Sequence, residues 1–470
     1  MTLDSGTMIL IAVVMGIYFI GMIVISCMGR KYGKNFDDFI SAGRNCTTLM
    51  IIGSAAGAHI GNGYVVGGAA SGAAVGFSGA WYGIGCALSY LFTAFVLNHR
   101  VYQGGFISIP EFLEARSGEK LTSAIFSFTT ALSLVANVAA QLMAGQALFE
   151  ALGFDGRLGI WIIAIVVVAY SCISGLWGAA ATSVVQFAII MVSLVITTGI
   201  ILANGAWDAV VGAVQSGTVP AGYLDFGADG IIAILITVVP ISLSCLCDQT
   251  TIQRINSAKS EKTAWWGMVL AAAIMLPCAL MPTFIGMYGN VLFHDTSNGV
   301  FFSVALKVLP PLASARLIAA VVAAIMSTID ALFVSFATIV MHNIYRGIIN
   351  PRASEKTLMR GDFICHIVLC LAAVFIALSF SSILDLLWAF YNFCAACCLV
   401  PFVGSLFWKR GTAKGSVASS VVGFAYIALN MIGLIPSTTL LSIFSFLPSL
   451  VAFVAVSLLD KKPADPAIEG

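Results

Sequence analysis

The chain has 470 residues, of which 60% are hydrophobic and only 9% charged, with a formal net charge of +1. No soluble domain of this length has so few polar side chains to present to water; the near-neutral charge says nothing about partners, and no nucleic-acid partner is expected. What remains is an all-α integral membrane protein whose surroundings are the lipid bilayer.

Apolar runs long enough to cross about 30 Å of hydrocarbon fall near 8–28, 47–74, 77–97, 121–148, 158–173, 177–203, 229–248, 264–287, 316–345, 358–379, 383–408, 416–433 and 440–459, which predicts about 13 transmembrane helices. The first run lacks a basic leader and a small-residue cleavage site and is followed by Arg30 and Lys31, so it reads as a retained span. Sorted by loop, 22 Lys and Arg divide unevenly: only Arg157, Lys307 and Arg316 fall on one side. The basic side is cytoplasmic. That places the N-terminus outside and the C-terminus, with a tail at 460–470, inside a cell (inner or plasma) membrane.

In chain order, the second span carries Gly57-Ala-His-Ile-Gly-Asn-Gly63 at mid-membrane, a glycine density that unwinds a helix or lets backbones approach closely. After the third span, Ser108-Ile-Pro-Glu111 is a capping box that starts a short helix ended by Gly118. Asn137 and Gln141 lie four apart, on one face of the fourth span. The seventh span has Pro240, then Ser242, Ser244, Cys245, Cys247 and Asp248, polar at membrane depth. In the ninth, Ala323-Ala-Ile-Met-Ser-Thr-Ile-Asp330 sets two hydroxyls and a carboxylate in an otherwise apolar helix. Such a cluster faces a protein interior or a water-filled path, and hydroxyls with the Ala324 carbonyl are the hard oxygens that a small cation takes up when it sheds water. The bland alternative is that both hydroxyls bond back to the preceding turn. The twelve cysteines lie almost wholly in apolar spans, and Cys394-Ala-Ala-Cys397 reads as a small-residue packing face, so no disulfide framework and no zinc are expected.

The interrupted spans are the second and the seventh, five apart. Interruptions at corresponding positions of two halves point to a transporter site between inverted repeats. This divides the chain into 1–46 (first helix and inner loop), 47–203 (first repeat, spans 2–6), 229–408 (second repeat, spans 7–11), 416–459 (two additional helices) and 460–470 (tail).

These residues resemble the sodium/solute symporter family, which includes glucose, proline, sialic acid, pantothenate and choline carriers. The resemblance spans nearly the whole chain and rests on Ala42-Gly-Arg44, Ile109-Pro-Glu-Phe-Leu-Glu-Ala-Arg-Ser-Gly118, Tyr170-Ser-Cys-Ile-Ser-Gly-Leu176, Asp248-Gln249 with Gln253-Arg254, Ala323–Asp330 with Asn343-Ile-Tyr345, and Arg410-Gly-Thr-Ala-Lys-Gly415. It implies a LeuT-type five-plus-five inverted-repeat core, with one helix before it and two after. It also implies a Na⁺ site made by the Ser327 and Thr328 hydroxyls with the carbonyls of Ala324, Gly57 and Ile60. Where many members have an Asp in the sixth span for a second cation, this chain has Ser183, which cannot offset a second positive charge; one Na⁺ per cycle is expected. His59 stands where relatives often have Asp, Asn or Trp.

The solute is expected near the bilayer midplane, lined by His59, Asn62 and Tyr64, Trp81 and Tyr82, Asn137 and Gln141, Ser242, Ser244 and Cys245, and Tyr391 beside Phe390. No Lys, Arg or Glu reaches this depth, which suits a small carboxylate, amino acid or other zwitterion. Two alternatives stay open: Trp81, Tyr64 and Tyr391 caging a quaternary ammonium such as choline or betaine, or a proton-coupled carrier using His59 or Asp330. A channel needs a continuous polar path, and an enzyme needs a nucleophile–base pair or metal cluster; neither pattern is present, and nothing specifies an obligate protein partner.

Overall fold

A computed structural model of the protein describes residues 5–29, 35–61, 63–171, 175–380, 382–435, 439 and 443–460. Asn62, residues 172–174 of the Tyr170–Leu176 motif and the tail 461–470 lie outside the described residues. Among those described the chain is helical throughout, with a single isolated bridge between Cys46 and Ala258. This is what a bilayer demands of a chain that does not close a barrel, since a helix satisfies its own backbone polar groups.

A helix occupies each expected span position: Ser5–Gly29, Thr48–His59 followed by Gly63–Gly104, Lys120–Ala151, Gly156–Ser171, Gly175–Ala203, Gly230–Cys245, Glu261–Phe293, Pro311–Ile349, Glu355–Ala377, Ile383–Phe407, Ala413–Met431 and Leu447–Leu459. Among the described residues, 8 of these helical stretches are by themselves long and apolar enough to cross a membrane, or 9 with the bent pair Gly230–Cys245 and Gln249–Ser257 taken as one. The expected thirteen is a finer count than that, because Thr48–His59, Gly156–Ala169 and Leu447–Leu459 are apolar but short. Spans two and three, separate in the sequence reading, appear as one helical stretch from Gly63. Gly76 turns it: at φ 70° and ψ −145° it ends the Gly68–Val75 helix, and a Cβ there would strike the Tyr223 carbonyl.

Pro311–Ile349 is the axis of the molecule. Its apolar window is 100% buried, against 22% for the first helix, whose Ile9, Ile17 and Ile20 face outward. A helix apolar on every side is stable only when enclosed, and this one packs most extensively on Gly175–Ala203 and is flanked by Lys120–Ala151 and Ser5–Gly29. Small residues let it approach closely: Ala319, Ala320, Ala323 and Ala324 are all buried. Gly53 does the same for the second span, where an added Cβ would stand 2.6 Å from the Val184 Cα.

Both expected interruptions exist, and one is displaced. Thr48–His59 ends at Ile60, which leaves helical dihedrals at φ −77° and ψ 49° and is fully buried. In the seventh span the helix runs through Pro240 to Cys245, and the chain bends by 49° between Cys245 and Gln249. Proline removes one backbone donor without stopping the helix. The stop comes from Asp248, whose side chain caps Gln249–Ser257 by accepting from Thr251 N. Between the third and fourth spans, Ser108 Oγ accepts from Glu111 N at 3.2 Å and Gly118 ends the helix at φ 68° as expected; Glu111 reaches back to Ile107 N, one residue before the cap.

Candidate functional site

The ninth span turns its two hydroxyls to the break in the second. Ser327 Oγ lies 2.8 Å from the Gly57 carbonyl oxygen and 3.0 Å from that of Ala324. Thr328 Oγ1 lies 3.2 Å from Gly57 O, 3.3 Å from Ala58 O and 3.0 Å from Ala324 O. Both hydroxyls therefore do bond back to Ala324, the bland expectation, and also reach across to another helix, which back-bonding alone does not require. Ser327 and Thr328 are 1% and 2% exposed. A hard cation with oxygens at about 2.4 Å spaces neighbouring ligands about 3.4 Å apart. The oxygens here lie closer than that, between 2.8 and 3.3 Å apart. Ile60 sits at the break three residues beyond Gly57. Ser183 lies beside Gly57 on the sixth span, its hydroxyl donating to Ala179 O at 2.7 Å.

Two residues beyond Thr328, Asp330 is 3% exposed and its Oδ1 accepts a short hydrogen bond from Ser171. Tyr18 of the first span closes this side: it receives a bond from Gln186 Nε2 at 2.8 Å and donates to Met326 Sδ. The first helix is thus tied to the ninth beside the cluster.

Directly against Thr328 lies a narrow cavity of about 30 Å³. Seven of the residues expected to hold solute wall it: His59, Tyr82, Asn137, Gln141, Ser244, Cys245 and Tyr391, with Phe390 beside them. Tyr82 and Tyr391 join their hydroxyls at 3.0 Å, and Gln141 donates to Asn137 at 3.3 Å. Gly61 keeps the hydroxyl cluster and this cavity in contact, since a Cβ there would stand 2.7 Å from Thr328 Oγ1 and 2.8 Å from Gln141 Oε1.

The other expected liners go elsewhere. Tyr64 points away and donates to Met275 O at 2.6 Å. Trp81 donates to Phe226 O and borders a separate, outer cavity with Asp229, Thr237 and Trp388. Ser242 is buried off the wall. Trp81, Tyr64 and Tyr391 accordingly form no common cage for a quaternary ammonium. Tyr82 borders both cavities, so the Tyr82–Tyr391 pair separates the outer one from the inner.

Asp248 and Thr250 also wall the inner cavity, and their placement was not foreseen. Asp248 Oδ2 accepts from Thr251 N at 3.1 Å, from Thr251 Oγ1 at 2.9 Å, and from Thr250 Oγ1. Thr250 Oγ1 in turn accepts from Arg254 at 2.6 Å, and Arg254, 2% exposed, donates its Nε to Ser54 Oγ at 2.7 Å. A threonine hydroxyl thus relays between the buried Arg254 guanidinium and the partly buried Asp248 carboxylate, the condition under which buried charge is tolerated.

Residues 39–423 match the family described as the sodium:solute symporter family. The sodium/proline symporter of Haemophilus influenzae is 25% identical over 95% of this chain and 94% of its own. The sodium/pantothenate symporter of the same organism is 25% identical over 73% and 72%. Among solved structures, a substrate-bound outward-open Na⁺-coupled sialic acid symporter superimposes with a TM-score of 0.81 at 17% identity, covering 97% of this chain and 99% of that one. At that identity the likeness establishes the fold, that of LeuT-type transporters.

Proposed function

The chain belongs to the sodium:solute symporter family, and on that premise we propose that it imports a small organic solute with one Na⁺ per cycle by alternating access. It is a multi-pass membrane transporter and not an enzyme. In this reading the Na⁺ ligands are the Ser327 and Thr328 hydroxyls and the carbonyls of Gly57, Ile60 and Ala324. The solute occupies the cavity beside Thr328, which widens to admit it, held by His59, Tyr82, Asn137, Gln141, Ser244, Cys245 and Tyr391. The observation that carries it is that two hydroxyls of the ninth span converge on one carbonyl of the broken second span, Gly57 O. A cation there exchanges hydroxyl–carbonyl bonds for metal–oxygen ones and fixes the two helices together, which favours solute binding next door.

Spans 2–6 and 7–11 then form two inverted repeats within thirteen spans, with the N-terminus outside. Supporting this are the interruptions five spans apart and the charge bias of the loops. One charge entering at 100 mV contributes about 2.3 kcal/mol and a tenfold Na⁺ gradient about 1.4 kcal/mol. Together these sustain roughly 500-fold accumulation of a neutral or zwitterionic solute.

Of the alternatives, the quaternary-ammonium carrier loses its basis with the dispersed aromatic rings. The relatives described above carry proline, pantothenate and sialic acid by name, which favours a small solute bearing a carboxylate. The test is thermal stability of the purified protein in Na⁺ against K⁺ or choline⁺, for wild type and the Ser327→Ala/Thr328→Ala variant. We expect a rise in melting temperature specific to Na⁺ and lost in the variant, because a ligand that binds only the folded state stabilises it by mass action. Absence of any Na⁺ effect in wild type at every pH sinks this reading and leaves the proton-coupled one, with His59 and Asp330 as its titrating groups. The same assay with proline, pantothenate and sialic acid, in Na⁺ and without it, ranks solutes.

A further inference from the structure

Tyr90, in the third span, is fully buried, and its hydroxyl oxygen lies 2.6 Å from two atoms of the second span: the Ala55 carbonyl oxygen and His59 Nδ1. The rings of His59 and Tyr90 meet edge to face, 4.9 Å between centroids at 74°. Heavy-atom contacts this short each need a proton between them. The phenol supplies one. A carbonyl oxygen supplies none, so the phenol proton goes to Ala55. The second proton must then come from the histidine, as Nδ1–H donating to the Tyr90 oxygen. A neutral imidazole has a single N–H, so Nε2 is left as a lone-pair acceptor. His59 is half-buried and walls the inner cavity, and among the described residues its ring makes no other hydrogen bond.

We propose that Tyr90 is a positioning residue that fixes His59 in the Nδ1–H form, so that the cavity offers Nε2 as an acceptor to a hydrogen-bond donor of the transported solute: an ammonium, an amide N–H or a hydroxyl. The inference rests on the reading of this cavity as the solute site and narrows the chemistry of what enters. The rest of the wall is consistent with it. Asp248, when ionised, only accepts, and neither lysine nor arginine lines the cavity. In the opposite tautomer the ring would present an N–H and set a donor against the same solute group. Fixing the tautomer by a second residue is how a histidine is given one hydrogen-bonding polarity.

The test reads the ring directly. Full-length protein labelled with ¹⁵N at its 5 histidines gives the nitrogen shifts of each ring, with His59 assigned by its disappearance in His59→Gln. In wild type we expect a protonated Nδ1 and an unprotonated Nε2. In Tyr90→Phe, which keeps the ring packing and removes the acceptor, we expect the Nε2–H form to appear. An Nε2–H ring in wild type, or the same tautomer in wild type and Tyr90→Phe, overturns the proposal. If Tyr90→Phe does not fold, the wild-type spectrum still decides on the tautomer, and 3-fluorotyrosine incorporation, which weakens the phenol as an acceptor, tests the residue; an unmoved His59 signal then counts against it. The spectrum is recorded without Na⁺ or solute, so its outcome stands apart from that of the thermal test of symport.

Discussion

The two interrupted helices are interrupted in different ways. In the second span the break falls among glycines, and what holds the helix end before it is another helix: Ser327 and Thr328 reach Gly57 and Ala58 from the ninth span. In the seventh the break is closed largely from within its own segment. Asp248 caps the following helix, Thr250 and Thr251 bind its carboxylate, and Arg254 anchors the group to Ser54. In the proposed cycle the first break is held by contacts that Na⁺ takes over; the second is a joint braced by the buried Arg254 and the Asp248 carboxylate. An alternating-access carrier needs both, a tie that forms and dissolves in each cycle and a joint that keeps the cavity wall in place while it does.

The largest expected effect comes from breaking the fixed joint. Asp248→Ala removes a helix cap, about 1 kcal/mol, and leaves Arg254 without its relayed counter-charge in a buried site, a loss of about 3 kcal/mol or more. We expect a clear fall in melting temperature and in the amount of folded protein recovered from the membrane. Adding Arg254→Met should restore part of both, since no unbalanced buried charge then remains. Additive losses in the double variant would mean that the two residues act separately and that the joint is not one unit.

A smaller and more selective effect belongs to the exchangeable tie. Gly61→Ala sets a methyl 2.7 Å from Thr328 Oγ1 and 2.8 Å from Gln141 Oε1. Overpacking of this kind costs about 1–3 kcal/mol, and here it falls where the proposed Na⁺ ligands and the cavity meet. The expected result is a folded protein that no longer gains stability from Na⁺. Gly16→Ala, whose new Cβ meets nothing within 4 Å, is the matched control and should keep the full Na⁺ response. Equal responses in the two variants would separate Gly61 from the cation site.

Much of this was legible in the sequence because membranes leave few choices. A span must be apolar and helical, loops sort by charge, and polar groups at depth need partners. Ser327, Thr328 and the Gly57–Gly63 break stand out for that reason. What could not be read was rotation about the helix axis. The π turn Gly63–Gly67 adds a residue to one turn, so counting by helical period from Gly57 misplaces the face of Tyr64. Trp81 follows the turn at Gly76 and swings to the outer loop, where Phe226 O receives its N–H. Asp248 carried a signal that was there to use: an acidic residue followed three positions later by the Thr251 backbone N–H it caps. Tyr90 carried none. An aromatic in an apolar helix reads as packing, and only the fold brings it to a histidine 31 residues away.

The smallest effect should come from Pro240, and it sharpens the comparison because a reading by sequence gives that residue the larger role. The helix passes through Pro240 and ends at Cys245, and the 49° bend lies between Cys245 and Gln249. Pro240→Ala therefore restores a backbone donor one turn and more before the joint and leaves the Asp248 cap as it was. Proline in a membrane helix is tolerated because neighbouring groups satisfy the carbonyl it frees, so its removal should leave the melting temperature within a few degrees of wild type and the Na⁺ response intact. Loss of the Na⁺ response in Pro240→Ala, with Asp248→Ala tolerated, would invert the assignment: the seventh span would then flex at its proline, and the charged joint would only decorate it.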